Sequence, residues 1–333
     1  MTDYIPNLMG RRIVMISDYV SKDYDAEDQK EEKLYIAKIK KGLKKFGIPF
    51  NFHEVKNLTE LKEKLSNYDK NNMVVFNWCE EIEETAHTEF LVTRFLEKND
   101  YVFSGAGTTC ILKTTDRNRV HSICIKKKIS VPSSYSFKSP ASSVYYPVIV
   151  KALYEHGSFA LSDKSILQGP KDLKRIRKLI NEDNFYMEDF IGGREFNVAV
   201  LGNNKPEVLP IMEVVFDSET DKKFKIQSFD SKWNKNSPSY NGIYLTKARN
   251  IAKKLRSKIT KLALKTHKVF CCSGVSRIEI RVKDGIPYVI DVNSNPNLRL
   301  HVSIFKAAKQ AGYNEGLLVA KLCELAMERH LPK

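Results

Sequence analysis

The stretch Ser276-Arg277-Ile278-Glu279-Ile280-Arg281-Val282-Lys283-Asp284-Gly285-Ile286-Pro287-Tyr288-Val289-Ile290-Asp291-Val292-Asn293 decides how the chain is read. Apolar and polar residues alternate on either side of Asp284-Gly285, a dipeptide suited to the positive backbone angles of a tight hairpin turn. Two antiparallel strands are predicted. Period-two geometry then sends Arg277, Glu279, Asp291 and Asn293 to one face. Two carboxylates and an amide on that face are hard oxygen ligands of the kind Mg²⁺ takes, together with waters and substrate phosphates. Arg277 beside them suits a phosphate or a developing oxyanion. A solvated hairpin face would use the same residue types, so the rest of the chain has to decide.

A chain of 333 residues can bury a large core and is expected to form two or three domains of ~100–200 residues each. Lys plus Arg number 55 against 40 Asp plus Glu, a formal charge of +15, which favours anionic partners such as nucleotides and phosphorylated substrates. The basic runs at 38–45, 126–128, 171–178 and 253–261 are dispersed and interleaved with core residues. They read as solvated helix faces rather than a nucleic-acid stripe. Six cysteines with no CxxC pair fit reduced thiols in a reducing compartment, and none is nominated as a nucleophile. Residues 1–12 lack the apolar core of a signal peptide, and no run approaches the ~18 apolar residues of a membrane span. A cytoplasmic location is the expectation, with no membrane partner.

Toward the amino terminus, strands at 13–16, 48–55, 73–76 and 101–103 alternate with helices at 27–46, 58–68 and 83–98, which predicts a parallel α/β sheet. There is no GxGxxG at its first turn. Asn77-Trp78-Cys79-Glu80-Glu81 falls at the carboxyl end of a strand, where such sheets bind ligands, although a polar turn into a helix would read the same way. Thr115-Asp116 is placed to cap a helix reaching Lys128, and strands follow at 133–137 and 147–151, the latter ending in Lys151. A loop with Gly157-Ser158 suits phosphates, with Lys151 as a point charge; an ordinary hairpin turn is the competing reading.

Next come strands at 185–191 and 194–201, separated by Gly192-Gly193. An edge there can hydrogen-bond a planar base, with Phe190 and Ile191 as apolar walls and Glu195 in reach of a ribose. Buried strand edges are the alternative. A strand is expected at 207–214, and 217–242 is a long polar loop carrying Lys232-Trp233. Helices are expected at 246–266, 301–311 and 314–330.

Taken in order, Lys151, Gly157-Ser158, Glu188-Asp189-Phe190-Ile191, Glu195-Phe196, Lys232-Trp233, Arg277-x-Glu279 and Asp291-x-Asn293-x-Asn295-Pro296 resemble the ATP-grasp enzymes, in particular the D-alanine–D-alanine ligase-like branch. The resemblance runs roughly from Ser104 to Leu325. It implies an α/β (α+β) ATP-grasp fold with an N-terminal parallel-sheet pre-ATP-grasp domain, 1–105, a central ATP-grasp subdomain, 106–184, and a C-terminal subdomain carrying the metal site, 185–333.

By the same resemblance, Lys151 contacts ATP phosphates beneath the Gly157-Ser158 loop, and Glu188, Phe190 and Ile191 line the adenine cleft. Glu195 holds the ribose, and Lys232 reaches the phosphates from a mobile loop. Glu279, Asp291 and Asn293 hold two Mg²⁺ ions, with Mn²⁺ able to substitute. Arg277 steadies the transferred phosphoryl group and the later tetrahedral intermediate. A second phosphate-binding position falls to Lys113 or Arg117.

The implied reaction is ATP-dependent: a carboxylate attacks the γ-phosphate, and an amine displaces phosphate from the acyl phosphate. Positioning and charge neutralisation carry it without a protein nucleophile. The partners are a small-molecule acid and amine, and a homodimer is one option that the family offers. Departures from the family bear on substrate. The D-alanine ligases carry Gly-Gly-x-Ser-x-Glu after the first strand, where this chain has Ile16-Ser17-Asp18-Tyr19-Val20-Ser21-Lys22, and a Gly where this chain has Asn297. The third strand ends in Phe76-Asn77-Trp78-Cys79-Glu80 in place of a His-Gly pattern. The expected substrates are therefore an amino acid or small acid other than the D-Ala pair, with Asn77, Glu80, Arg299 and His301 as candidate contacts. Acyl transfer to a carrier thiol and nucleotide binding without ligation are the alternative readings.

Overall fold

The computed structural model describes residues 5–18, 26–83, 85, 87–154, 161–217, 224–234, 236–237, 240, 242–299 and 302–330. Strands β1 (Arg12–Asp18), β2 (Phe50–Val55) and β3 (Met73–Asn77) form a parallel sheet in the order β2-β1-β3. Its two faces sort by period two: Ile13 and Met15 enter one apolar cluster, Val14 and Ile16 another. Helices α1 (Ala26–Lys44), α2 (Leu58–Ser66) and α3 (Glu89–Lys98) supply its crossovers and cover. The Asn57 side chain caps α2 by accepting from the Glu60 N–H.

The N-terminal region departs from expectation in two places. The strand predicted at 101–103 is a single parallel bridge, Val75 to Phe103, beside the N–H of Val75 donating to the Val102 carbonyl. Helix α3 starts at Glu89 rather than Glu83, because Glu83 (φ 60) and His87 (φ 66) take left-handed backbone conformations that no helix contains.

Helices α4 (Thr108–Thr115) and α5 (Arg117–Lys126) follow, divided at Asp116, whose carboxylate accepts from the Arg119 N–H as a helix cap. The cap was expected; α4 was not. An antiparallel sheet then forms from β4 (Ser134–Tyr135), β5 (Val148–Ala152), β6 (Ile166–Leu167) and β7 (Phe185–Asp189), in the order β4-β7-β5-β6, with α6 (Pro170–Ile176) beside it. The largest sheet contains β8 (Arg194–Leu201), β9 (Glu207–Val208), β10 (Met212–Phe216), β11 (Ile243–Lys247), β12 (Val275–Lys283) and β13 (Ile286–Asn293). Its order is β11-β10-β8-β12-β13, and β9 pairs with β8. The remaining helices are α7 (Phe229–Trp233), α8 (Lys253–Phe270), α9 (Ser303–Gln310) and α10 (Glu315–His330). Residue 246, expected to open a helix, belongs instead to β11, and the helix starts at Lys253.

The hairpin forms as predicted, with a feature that alternation alone does not show. Arg277 pairs with Asn293 and Glu279 with Asp291, but Ile280 pairs with Val289, so Ile290 is an extra residue on β13. Strict alternation from the buried Val289 would turn Asp291 into the core. The bulge resets the period and puts Asp291 and Asn293 on the face of Arg277 and Glu279.

One face of the large sheet buries Val198, Ile278, Ile280 and Val292 against Ile259, Ala263 and Phe270 of α8. That helix has no acidic residue, and its seven Lys and Arg side chains are all exposed, the solvated face expected from the sequence. At one end of the opposite face, Ala199, Leu201, Met212 and Val275 join α1, α9, α10 and the N-terminal sheet in a single apolar cluster. Helices α1 and α10 touch at backbone level: a Cβ added at Gly316 would lie 2.7 Å from the Gly42 backbone. Beyond that packed end, the same sheet face carries the polar residues.

Candidate active site

Strand register arranges the site in rows across β8, β12 and β13. Ala199, Arg277 and Asn293 form one row, Asn197, Glu279 and Asp291 the next, and Glu195, Arg281 and Tyr288 the third. Glu279 and Asp291 are thus carboxylates directly opposite one another, an arrangement that repels unless cations offset it. Two guanidinium groups do so. Arg277 donates through Nε and Nη2 to Glu279 Oε1 at 3.0 and 2.9 Å. Arg117, at the start of α5, brings Nε to 3.7 Å from Asp291 Oδ1 and is anchored by Nη1 donating to the Ala152 carbonyl at 2.7 Å. Burial opposes the Arg117 charge, yet Asp291, Tyr186, Glu188 and Glu279 around it raise its pKa overall. Arg117, not Lys113, therefore sits at the acidic pair.

Lys151 ties the smaller antiparallel sheet to the hairpin. Its Nζ lies 2.5 Å from Glu188 Oε1 and donates to the Ile290 carbonyl at 3.1 Å, the peptide oxygen of the bulged residue. Tyr186 completes the group by donating its hydroxyl to Glu188 Oε2 at 3.0 Å. Burial first, then Glu188, pushes the Tyr186 phenol far up, so it stays a donor.

Glu195 is 3% exposed and accepts Nε and Nη2 of Arg281 on Oε2 at 2.8 and 2.6 Å, and the Gln227 amide on Oε1. Arg281 also donates to the Ile191 carbonyl at 3.0 Å and lies over the Phe190 ring, 5.2 Å from its centroid. Phe190 meets Phe224 edge to face at 5.2 Å. Phe190 thus packs against Phe224 and Arg281, next to the buried Ile191, and Glu195 accepts from both Arg281 and Gln227. Gly157, Ser158 and His301 lie outside the described residues, as does the Lys232 side chain.

The family model for the "D-ala D-ala ligase C-terminus" matches residues 112–324, more than half of the chain. The chain belongs to the D-alanine–D-alanine ligase family of ATP-grasp enzymes. That family is a class of ATP-dependent carboxylate–amine ligases. The uncharacterised protein y4sG of Sinorhizobium fredii is 27% identical over 195 residues, 56% of this chain, and this chain spans about half of that relative, 53%. The D-alanine–D-alanine ligase of Desulforudis audaxviator is 28% identical over 250 residues, covering 72% of this chain and 77% of its own. Among solved structures, that of D-alanine–D-alanine ligase from Bacillus anthracis complexed with ATP shares the fold at a TM-score of 0.72 and 18% identity, over 96% of this chain and 98% of that one.

Carboxylates gather at the edge of the N-terminal sheet. Asp18 closes β1 and accepts from the Glu80 N–H at 3.2 Å; burial, with Glu80 adding, pushes its carboxyl up to about 7. Glu89 opens α3, where burial raises it to about 8 against a hydrogen bond from Asn295. Glu80 accepts from Asn297 Nδ2 at 2.6 Å; burial raises its pKa, while Arg299 and Arg277 oppose that. Asp18, Lys56, Asn57 and Glu81 border a cleft of about 520 Å³.

Two of the expected substrate contacts are engaged within the protein. Asn77 is buried and uses Oδ1 to accept from the Cys79 N–H at 3.3 Å, holding the local turn. Arg299 donates to Glu32 Oε2 at 3.0 Å and lies over Trp78. Of the described candidates, Glu80 has Arg277, which donates to Glu279, among the charges that act on it.

Sequence reasoning missed Arg281, Asn197, Tyr186, Gln227, Asp18 and Glu89. Arg281 shares the parity of Arg277 and Glu279, and Asn197 that of Glu195, so the same period-two rule reaches both. Gln227 lies in an irregular segment and carried no signal.

Proposed function

We propose that this chain is an ATP- and Mg²⁺-dependent ligase that joins a small acid, other than the D-Ala pair, to an amine through an acyl phosphate. The observation that carries the reading is the Glu279–Asp291 pair set face to face across the hairpin and flanked by Arg277 and Arg117. The donor set fits Mg²⁺. Among the described residues no group of three or more His, Cys, Asp or Glu could hold a metal ion. Two carboxylates, the Asn293 amide and substrate phosphates are what Mg²⁺ takes instead of an all-protein cage. Asn197 Oδ1, buried next to Glu279 and without a hydrogen-bond partner among the described residues, is a further hard oxygen in place. When bound, the metal neutralises charge on the phosphate oxygens.

In this reading Lys151 and Arg117 hold the phosphates, Phe190 and Ile191 contact the base, Glu188 stands at its edge and Glu195 faces the ribose. The Bacillus anthracis neighbour, of the same fold and solved with ATP, supports a nucleotide as the ligand. The acid's carboxylate oxygen attacks the γ-phosphorus and ADP leaves; the amine then attacks the acyl carbon and phosphate leaves. Arg277 donates to the oxygen on which charge develops. The Gly157-Ser158 loop and Lys232 are assigned to the closure that excludes water. The division at about residues 105 and 184 belongs to the same reading. A substrate other than D-Ala is supported by Asp18, Glu80 and Asn297 standing at the positions of departure. No helix among the described residues is long and apolar enough to cross a membrane.

The test is Mg²⁺-dependent release of ADP and phosphate across pools of D- and L-amino acids, dipeptides and small acids, with product masses recorded. One pool should stimulate release and yield an amide mass. Glu279→Ala and Asp291→Ala should each abolish turnover with wild-type melting retained; unchanged turnover in either variant refutes the metal assignment.

A further inference from the structure

Asn197 lies on β8, is 6% exposed, and its Oδ1 has no hydrogen-bond partner among the described residues. Buried amide oxygens are nearly always paired in native proteins, so an orphan asks what it binds. Register answers where it points. Asn197 is opposite Glu279 on β12, and Glu279 is opposite Asp291 on β13, so three oxygen-bearing side chains stand in one line on one face of the sheet. Adjacent strands are about 4.8 Å apart, which places Asn197 and Asp291 on either side of Glu279. The other neighbours do not compete for this oxygen. Met212, opposite Asn197 on β10, has no hydrogen to donate, and the Arg277 guanidinium is turned to Glu279.

We propose that Asn197 Oδ1 is a further ligand, direct or through one water, of the cation that the proposed function assigns to Glu279 and Asp291. The inference rests on that reading and extends the metal site from two strands to three. An amide carbonyl is a hard, neutral donor. Added to two carboxylates already offset by two guanidinium groups, it increases the ligand count without adding repulsion between like charges.

The test uses Mn²⁺ as the probe, with full-length protein and a non-hydrolysable ATP analogue, following free Mn²⁺ by electron paramagnetic resonance. Asn197→Ala should weaken Mn²⁺ about 10- to 100-fold, the range seen when a metal site loses a supporting group, with nucleotide affinity in the absence of metal unchanged. Asn197→Asp should bind Mn²⁺ more tightly than wild type, because a carboxylate replaces the amide. A purely structural asparagine, or one that holds a buried water, predicts no tightening in the Asp variant. Glu279→Ala is the control that separates the two levels. If it loses Mn²⁺ while Asn197→Ala and Asn197→Asp bind as wild type, the role of Asn197 is refuted and the metal site stands. If Glu279→Ala also binds as wild type, the metal site itself is refuted.

Discussion

Replacing Lys151 by Met removes the cation that faces Glu188 across two strands of the smaller antiparallel sheet. The pair is largely buried, with side chains 14% and 6% exposed and a contact of 2.5 Å, so the solvent screening that weakens surface ion pairs has little effect here. Breaking a buried pair from one side strands the other charge and costs about 3–5 kcal/mol. Glu188 keeps the Tyr186 hydroxyl, and Arg117 remains within electrostatic range, which places the expected loss near the low end, about 3 kcal/mol. In the double variant Lys151→Met/Glu188→Gln no charge is stranded, and the substituted amide still accepts from Tyr186. That variant should lose only about 1 kcal/mol relative to wild type, giving a coupling of at least about 2 kcal/mol. Urea unfolding at pH 7.5 measures these two variants together with Glu188→Gln alone, and calorimetry with ATP measures the second consequence. ATP affinity should fall in both Lys151 variants alike, because the phosphate-binding cation is gone from each. Additive stability losses would refute the pairing argument; restored ATP binding in the stable double variant would refute the phosphate role of Lys151.

Two further outcomes follow from separate features. Asp18 has a folded pKa of about 7 against an ordinary value of 3.8, so it binds its proton more tightly when folded. Its favourable contribution is complete below pH 4 and is lost as pH rises through 7. Asp18→Asn should therefore gain on wild type by about 2 kcal/mol between pH 5 and pH 8 in denaturant midpoints, and a constant difference across that range refutes the burial of the charge. Gly316→Ala places a methyl 2.7 Å from the Gly42 backbone, where no side chain can move aside, and should cost about 1–3 kcal/mol. Gly169→Ala meets nothing within 4 Å and has an extended φ of −177°, so it serves as the neutral control in the same thermal melts.

The parts of the site that could be read in the sequence are those set by local periodicity. Arg277, Glu279, Asp291 and Asn293 share a face because strands alternate, and Asp284-Gly285 fixes the turn between them. The bulge at Ile290 could not be read that way, since one extra residue is specified by pairing with β12 and by Lys151 capturing its carbonyl, both long-range events. That Arg117 would stand beside Asp291 could not be read from spacing either, since it depends on the helix break at Asp116 that sets where α5 begins. The partner of Glu195 could not be read either, since nothing local announces that Arg281, 86 residues away, donates to it. The end of strand β11, Thr246-Lys247, reads as helix in the sequence because residues 243–247 are partly exposed at a sheet edge, where the alternation of buried residues is weak.

The contact between α1 and α10 has a consequence for the order in which the molecule can be assembled. Ile13, Met15, Val74 and Phe76 bury one side of the N-terminal sheet against Leu318, Leu322 and Leu325, and Arg329 donates to the carbonyl of Phe103. The N-terminal sheet is thus covered on that side by a helix that follows every other described element in the chain. Until α10 is in place, that face has α1 but lacks its second apolar layer, leaving surface of the kind by which nascent chains associate. Removing α10 would therefore do more than shorten the protein: it would leave the beginning of the chain without the layer that completes it.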